Sequence, residues 1–380
     1  MYWPSLGLAL ATFFNNVAAS PAHDLKARQF ATAAMLRFQC SQLVYDRIDP
    51  LVQPGVAPSA HMRKQHPRAG STRTLTNLAY RHPDQIVGGN AFNVSMPPLD
   101  LDPSTEATCT TCDFAEDLSN YWTANLYFKA RNGTFQRVPQ MVNLGLQGRE
   151  GVTVYYIPPY DGKSTVTAFP KGFRMLVGDP GLRVQEGQQK QLCHRCFTNK
   201  EQDPFGGAPC IGEFDTAGLP PKMCGGGIRT TITFPTCWDG KNLDSPNHKD
   251  HITYPTTGSF ESNGPCPATH PIHMPQLMYE VMWDTTPFND AALWPDDGSQ
   301  PFVYSMGDAT GYGQHGDYVF GWKDGALQKA MDQRCFGNTC TGLTTQSADV
   351  STKCGVPQAV KEPVDGWLDE LPGGPAVTYE

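Results

Sequence analysis

Short runs of β-branched and aromatic residues recur along this chain, separated by turns rich in Gly and Pro. Six of them read as strands: Asn125–Ala130, Val152–Ile157, Phe173–Val177, Ile228–Phe234, Leu277–Trp283 and Tyr318–Trp322. Their brevity and their turn-forming borders are marks of strands rather than helices. The period changes once. In Gly325–Arg334, residues Leu327, Ala330 and Met331 recur at helical spacing, and Asp324 stands where a cap belongs. A second short helix is expected in the tail. The pattern predicts a mainly β protein: a β-sandwich-like single domain over 35–340 with long disulfide-tied loops and one or two short helices, then a C-terminal tail over 341–380.

Composition supports this picture and excludes others. The 37 Gly and 33 Pro make up about 18% of 380 residues, against about 12% in an average protein. Charged residues reach only 17% and aromatics 11%, which rules out a coiled coil, a helical solenoid and acidic disorder. A net charge of −8 argues against nucleic acid or an anionic membrane as partner.

The twelve cysteines are scattered through loop-like sequence, as disulfides of an oxidising compartment are. The Cys-x-x-Cys pairs Cys109/Cys112 and Cys193/Cys196 leave zinc as the other reading. Leu6–Phe14 is apolar and is followed by the small residues Ala18, Ala19, Ser20 and Ala22, so 1–19 reads as a signal peptide. Residues 20–34 read as a leader or pro-segment. Asn93 and Asn132 head glycosylation sequons. No other apolar run is long enough to span a membrane. A secreted, extracellular, monomeric glycoprotein is expected.

One segment breaks the composition. Arg63, Lys64, Arg68, Arg73 and Arg81 cluster with His66 and His82, and no acid comes before Asp84. A basic surface loop would account for this. The codons allow a sharper account. Arg63-Lys64 can contain a fungal-type splice donor, Leu75-Thr76 or Thr76-Asn77 a branch site, and Pro83-Asp84 an acceptor. Joining the first base of Arg63 to the last two of Asp84 keeps the frame and encodes histidine. On this reading 63–84 is a retained intron that a single histidine replaces, and the protein becomes more acidic. That histidine would stand two residues after His61, and on a strand such a pair shares one face as a chelating or acid–base unit.

Three further clusters can carry chemistry. The densest is Cys237–His251, directly after the strand Ile228–Phe234. Its carboxylates Asp239 and Asp244 suit acid–base work on a glycosidic bond. Asp239, Asn242 and Asp244 would alternatively offer oxygens to calcium, or serve simply as turn formers. His248 and His251 are one helical turn apart. In the glycine-rich run Ser305–Tyr318, His315 and Asp317 are spaced to share a face at the start of a strand. The third cluster is Cys266–His273, with His270 and His273 among prolines.

Together these stretches resemble the secreted fungal and actinobacterial family called domain of unknown function nineteen-ninety-six, whose members sometimes carry WSC-type carbohydrate-binding modules. The resemblance rests on Met35–Phe38, Cys40–Val44, Gln85–Asn90, Phe173–Leu176, Gly178–Pro180 and Phe234–Ser245. It continues through His248, His251, Cys266-Pro267, His270-Pro271 and Gly316–Tyr318. The family's Ser-x-His-x-His motif falls on Ser59 and His61, and its second histidine is the one that splicing would restore. The resemblance implies no settled reaction.

The expected function is cleavage of cell-wall or plant polysaccharide. The catalytic residues would be His61, Asp239, Asp244, His248, His251, His315 and Asp317, with Asp317 orienting a histidine. Asn90, Trp238, Asn242 and Tyr318 would bind the sugar. The cofactor and any metal are left open. One rival is a metal-dependent, copper-type oxidative enzyme, in which cleavage after Ala22 would expose His23 as a chelating N-terminus. The other is a non-catalytic glycan binder or wall component.

Overall fold

The computed structural model describes residues 34–49, 51–53, 56–61, 80–81, 84–87, 102–159, 164–186, 191–199, 201–204, 210–257 and 264–379. The signal-peptide and leader segment through residue 33, most of the proposed intron, Asn90 and Asn93 lie outside them. Among the described residues the strands are, in order, β1 (Met35–Asp46), β2 (Ala60–His61), β3 (Tyr80–Arg81), β4 (Asp84–Val87), β5 (Asn120–Ala124), β6 (Leu126–Lys129) and β7 (Phe135–Arg137). They continue with β8 (Gln140–Met141), β9 (Gly151–Ile157), β10 (Arg174–Gly178), β11 (Leu192–Phe197), β12 (Asp215–Thr216), β13 (Gly227–Thr233) and β14 (Cys237–Trp238). Last come β15 (Ile252–Thr253), β16 (Ile272–His273), β17 (Gln276–Trp283), β18 (Phe302–Tyr304), β19 (His315–Val319) and β20 (Phe336–Gly337). The protein is mainly β, as its turn-bounded pattern predicts.

The main sheet runs β10-β19-β5-β4-β1-β9-β17-β13-β11-β12. Its organising element is β1, which changes partner midway. Leu36–Ser41 pair with β9, whereas Gln42–Asp46 pair with β4, with a register shift between Gln42 and Val44. Such irregularities bend a strand, and β1 serves two half-sheets that pack against each other. The Tyr121 ring meets Tyr279 edge-on at 5.6 Å, and Gly316 approaches so closely that a Cβ there would stand 3.0 Å from Ile232. In the core, Tyr121, Tyr156 and Tyr318 join hydroxyls at 2.9 and 2.7 Å, and Tyr121 donates to Asp117 at 2.5 Å. β9, β13 and β17 are rich in β-branched and aromatic residues because they are covered on both faces.

All twelve cysteines form disulfides: Cys40–Cys112, Cys109–Cys354, Cys193–Cys210, Cys196–Cys224, Cys237–Cys266 and Cys335–Cys340. Both Cys-x-x-Cys pairs are thus consumed by bonds to four other partners, and their thiolates cannot hold zinc. The helix spans Ala326–Asp332, and a four-residue helix, Ala348–Ser351, lies in the tail. Its N-cap is Gly325 rather than Asp324. The chain enters it through Asp324 and Gly325, both left-handed (φ 47° and 69°), so no carboxylate reaches the first turn. The stretch beyond 340 is bound to the body by Cys109–Cys354, by the Arg47–Glu362 ion pair, and by Leu368 bridging to Phe135. Among the described residues no helix is long and apolar enough to cross a membrane.

Candidate active site

The loop after β13 folds back along the outer edge of β10. Arg174 N–H donates to Leu243 O at 3.1 Å, Leu176 N–H donates to His248 O at 3.0 Å, and Lys249 Nζ donates to Gly178 O. The loop's rigidity comes from its Asp, Asn and Ser side chains, which bond nearby backbone groups. Asp239 Oδ1 accepts from the backbone N–H groups of Lys241 and Asn242, and its Oδ2 from the Asn242 amide. Slight burial would raise this carboxyl, but those donors outweigh it and hold Asp239 below the usual range. Ser245 Oγ accepts from the N–H groups of Lys249 and Asp250, and Asn247 Oδ1 accepts from the same two.

His251 is the inner anchor. It is 1% exposed; its Nε2–H donates to Arg174 O at 2.8 Å, and Nδ1 accepts from Ser245 Oγ at 2.9 Å. Burial lowers its pKa despite the carbonyl of Arg174 and the charges of Asp244 and Asp239, so the ring is a neutral imidazole.

His248 is placed differently. Its Nδ1 is 2.7 Å from Asp244 Oδ1, both side chains are partly exposed (15% and 23%), and Arg174 Nε is 3.8 Å from the other carboxylate oxygen. The backbone of His248 is left-handed, φ 57°. Such strain persists only where its surroundings fix it, and it clusters at functional sites. A carboxylate on Nδ1 fixes the tautomer and turns Nε2 outward, as an acid–base histidine requires.

β19 supplies the sheet side. Asp317 lies opposite Leu176 and Trp122, and His315 lies opposite Gly178; both side chains are fully buried on the half-sheet's outer face. Lys249 reaches this region. Burial lowers its ammonium, and the charges of Asp179, Asp317 and Asp250 oppose that. His315 Nδ1 donates to Gly313 O at 3.0 Å.

The fold therefore brings Asp244, His248 and His251 together and links them through Lys249 to Asp317. It sets Asp239 and Asn242 at the exposed end of the loop, where Trp238 Nε1 donates to Asn242 O at 2.7 Å and its ring packs on Phe173. Tyr318 points into the sandwich core, away from Asp317. His61 lies in β2, paired with Tyr80 of β3. His270 bonds Asp250 O at 3.0 Å and stays at the loop's rim.

Residues 74–322 match the family model described as a domain of unknown function, DUF1996. The chain belongs to that family. The DUF1996 match opens inside the 63–84 segment, yet β1, which precedes it, is integral to the same sheet. No curated protein and no solved structure matches the chain. Arg174 and Lys249, which fasten this DUF1996 loop to the sheet, are not singled out by their spacing in the sequence. A concavity of about 560 Å³ shares no residue with the loop and is lined by Lys129, Asn132, Asp296 and Tyr379, among others.

Proposed function

We propose that the protein is secreted and cleaves cell-wall or plant polysaccharide, with His248 as the general acid–base group and Asp244 as the carboxylate that orients it. The observation that carries this reading is the partly exposed Asp244–His248 pair on a loop fastened to the sheet at four points. In its protonated form, His248 would donate from Nε2 to the departing glycosidic oxygen, and Asp244 would stabilise the imidazolium. Neutral His248 would then draw the proton from the attacking water. Arg174 keeps Asp244 in place. Six disulfides suit an extracellular life, and the half-exposed Trp238 offers a ring on which a sugar can stack.

Wall β-glucan, mannan and chitin, incubated with the protein and no reductant, are expected to release soluble oligosaccharides. Asp244→Asn and His248→Asn should lower release by about 100-fold or more, the usual weight of a general acid–base group. Binding to the insoluble polymer without turnover in the wild type would sink the enzyme reading and leave a glycan binder.

A further inference from the structure

The turn between β6 and β7 carries Asn132-Gly133-Thr134, and its geometry leaves one atom of Asn132 available. Asn132 Oδ1 accepts from Thr134 N–H at 3.1 Å and from Thr134 Oγ1 at 2.7 Å, so the carbonyl end of the amide is folded back into the turn. The Nδ2 end has no hydrogen-bond partner among the described residues. Space beside it is open as well, since a Cβ on Gly133 would meet nothing within 4 Å. Asn-x-Thr is the acceptor pattern for an N-linked sugar, and Nδ2 is the atom that takes it.

Asn132 also lines the concavity of about 560 Å³, a size within the range of about 300–1,000 Å³ that small-molecule sites fill. One wall is the turn from Lys129 to Gly133, and another is the stretch leading into β18. The two are fixed to each other. Lys129 N–H donates to Pro301 O and Arg131 N–H to Leu293 O, both at 2.9 Å, and the Arg131 guanidinium is 3.0 Å from Asp296. Tyr379, from the C-terminal stretch, completes the lining. Its ring is 58% exposed, with Lys129 Nζ 5.8 Å from the ring centroid and 3.3 Å from the hydroxyl. The backbone that carries it is held at Thr378, whose N–H donates to Gly307 O at 2.8 Å. The lining thus combines an exposed aromatic ring, on which a sugar face can stack, with the exposed groups of Asp297 and Ser299, which can bond sugar hydroxyls.

We propose that Asn132 is N-glycosylated and that the first N-acetylglucosamine residues of its glycan lie in this concavity against Tyr379. The sugar then joins the β6–β7 turn to the C-terminal stretch. Transfer forms the bond from Nδ2 to C1 of the first sugar and breaks the C1–O bond to a lipid-diphosphate donor. The diphosphate leaves as an anion, and Nδ2 gives up one proton. This inference rests on the reading that the protein is secreted, and on nothing about the Asp244–His248 pair.

The full chain is expressed in yeast twice, once behind a foreign secretory leader and once with its own. Mass analysis of the exported protein is expected to find N-acetylhexosamine on Asn132. Peptide-N-glycosidase, acting on folded protein, should release that glycan about 10-fold faster from Tyr379→Ala than from the wild type, because release waits for the sugar to leave the concavity. Tyr379→Phe keeps the ring and should stay slow. A second readout leaves Tyr379 unchanged: its amide and that of Thr378 should exchange hydrogen more slowly in the glycosylated wild type than in Asn132→Gln. Bare Asn132 in exported protein overturns this proposal alone. So do equal release rates from wild type and folded Tyr379→Ala, or equal exchange with and without the glycan. Export by the foreign leader only would overturn the secretion reading, and this proposal with it.

Discussion

His251 and Arg174 are joined by a 2.8 Å hydrogen bond from imidazole Nε2–H to backbone carbonyl, which fastens the loop after β13 to the edge of the sheet. Three residues earlier, His248 is partly exposed and bound to Asp244. The two histidines should therefore separate stability from activity. His251→Ala removes two buried hydrogen bonds and leaves Ser245 and the Arg174 carbonyl without them, at about 2–4 kcal/mol. His248→Asn keeps a residue that tolerates the left-handed backbone and should change stability by no more than about 0.5 kcal/mol. Urea unfolding of both variants checks this. Equal losses would show that His248 is also part of the scaffold.

Stability should fall as pH rises from 5 to 7. Burial raises Asp117 to about 7 and Asp113 to about 6, the latter despite an N–H from Gln39. The folded protein thus keeps protons that the unfolded chain has released by pH 5, and this stabilisation fades as pH climbs through the folded values. His194 acts in the opposite sense. Burial lowers it to about 4, so its contribution is complete above pH 6.5 and is lost on acidification. The carboxyls outweigh it, leaving a net loss of about 2 kcal/mol over these two pH units. Asp117→Asn, which resembles the protonated acid, should flatten the profile. A melting temperature that rises from pH 5 to 7 would contradict this assignment.

The Cys109–Cys354 bond closes the longest loop of the six and ties the C-terminal stretch to the body. Cys354→Ser should cost about 2–5 kcal/mol. Limited proteolysis should then cut first beyond residue 340, ahead of any cut in β9, β13 or β17. Cleavage elsewhere first would show that Arg47–Glu362 and the Leu368–Phe135 bridge suffice to hold it.

Asn132 occupies an exposed turn between β6 and β7, where its Oδ1 accepts from Thr134. Its sequon lines the 560 Å³ concavity, so a glycan attached there would occupy that space. Protein secreted from a eukaryotic host should lose mass on endoglycosidase treatment. Asn132→Gln should reduce that loss, and an unchanged loss would assign the sugar elsewhere.

The strands that the sequence reveals, such as β9, β13 and β17, lie in the middle of the main sheet, where covering on both faces selects uninterrupted β-branched and aromatic runs. β1 was only partly legible. Leu36, Phe38 and Cys40 do alternate with Arg37, Gln39 and Ser41 as a strand's residues should, a signal that was overlooked, whereas the change of partner leaves no trace in local periodicity. The shared face of His315 and Asp317 follows from alternation alone and was legible. The difference between His248 and His251 was not, because spacing does not say which ring nitrogen meets a carbonyl. Asp239 illustrates the same limit. A carboxylate in an Asp-Gly-x-Asn turn reads equally as a reactive group or a turn former, and only its three N–H donors show that it organises the loop.

The loop's course along β10 has a consequence unrelated to catalysis. β10 is the last strand at its end of the main sheet, and without the loop its backbone would offer N–H and C=O groups to any passing strand. Leu243, His248 and Lys249 occupy several of those positions. Variants that loosen the loop should therefore self-associate on warming before the body unfolds. The segment that carries the proposed chemistry is thus also the one that covers this edge of the sheet.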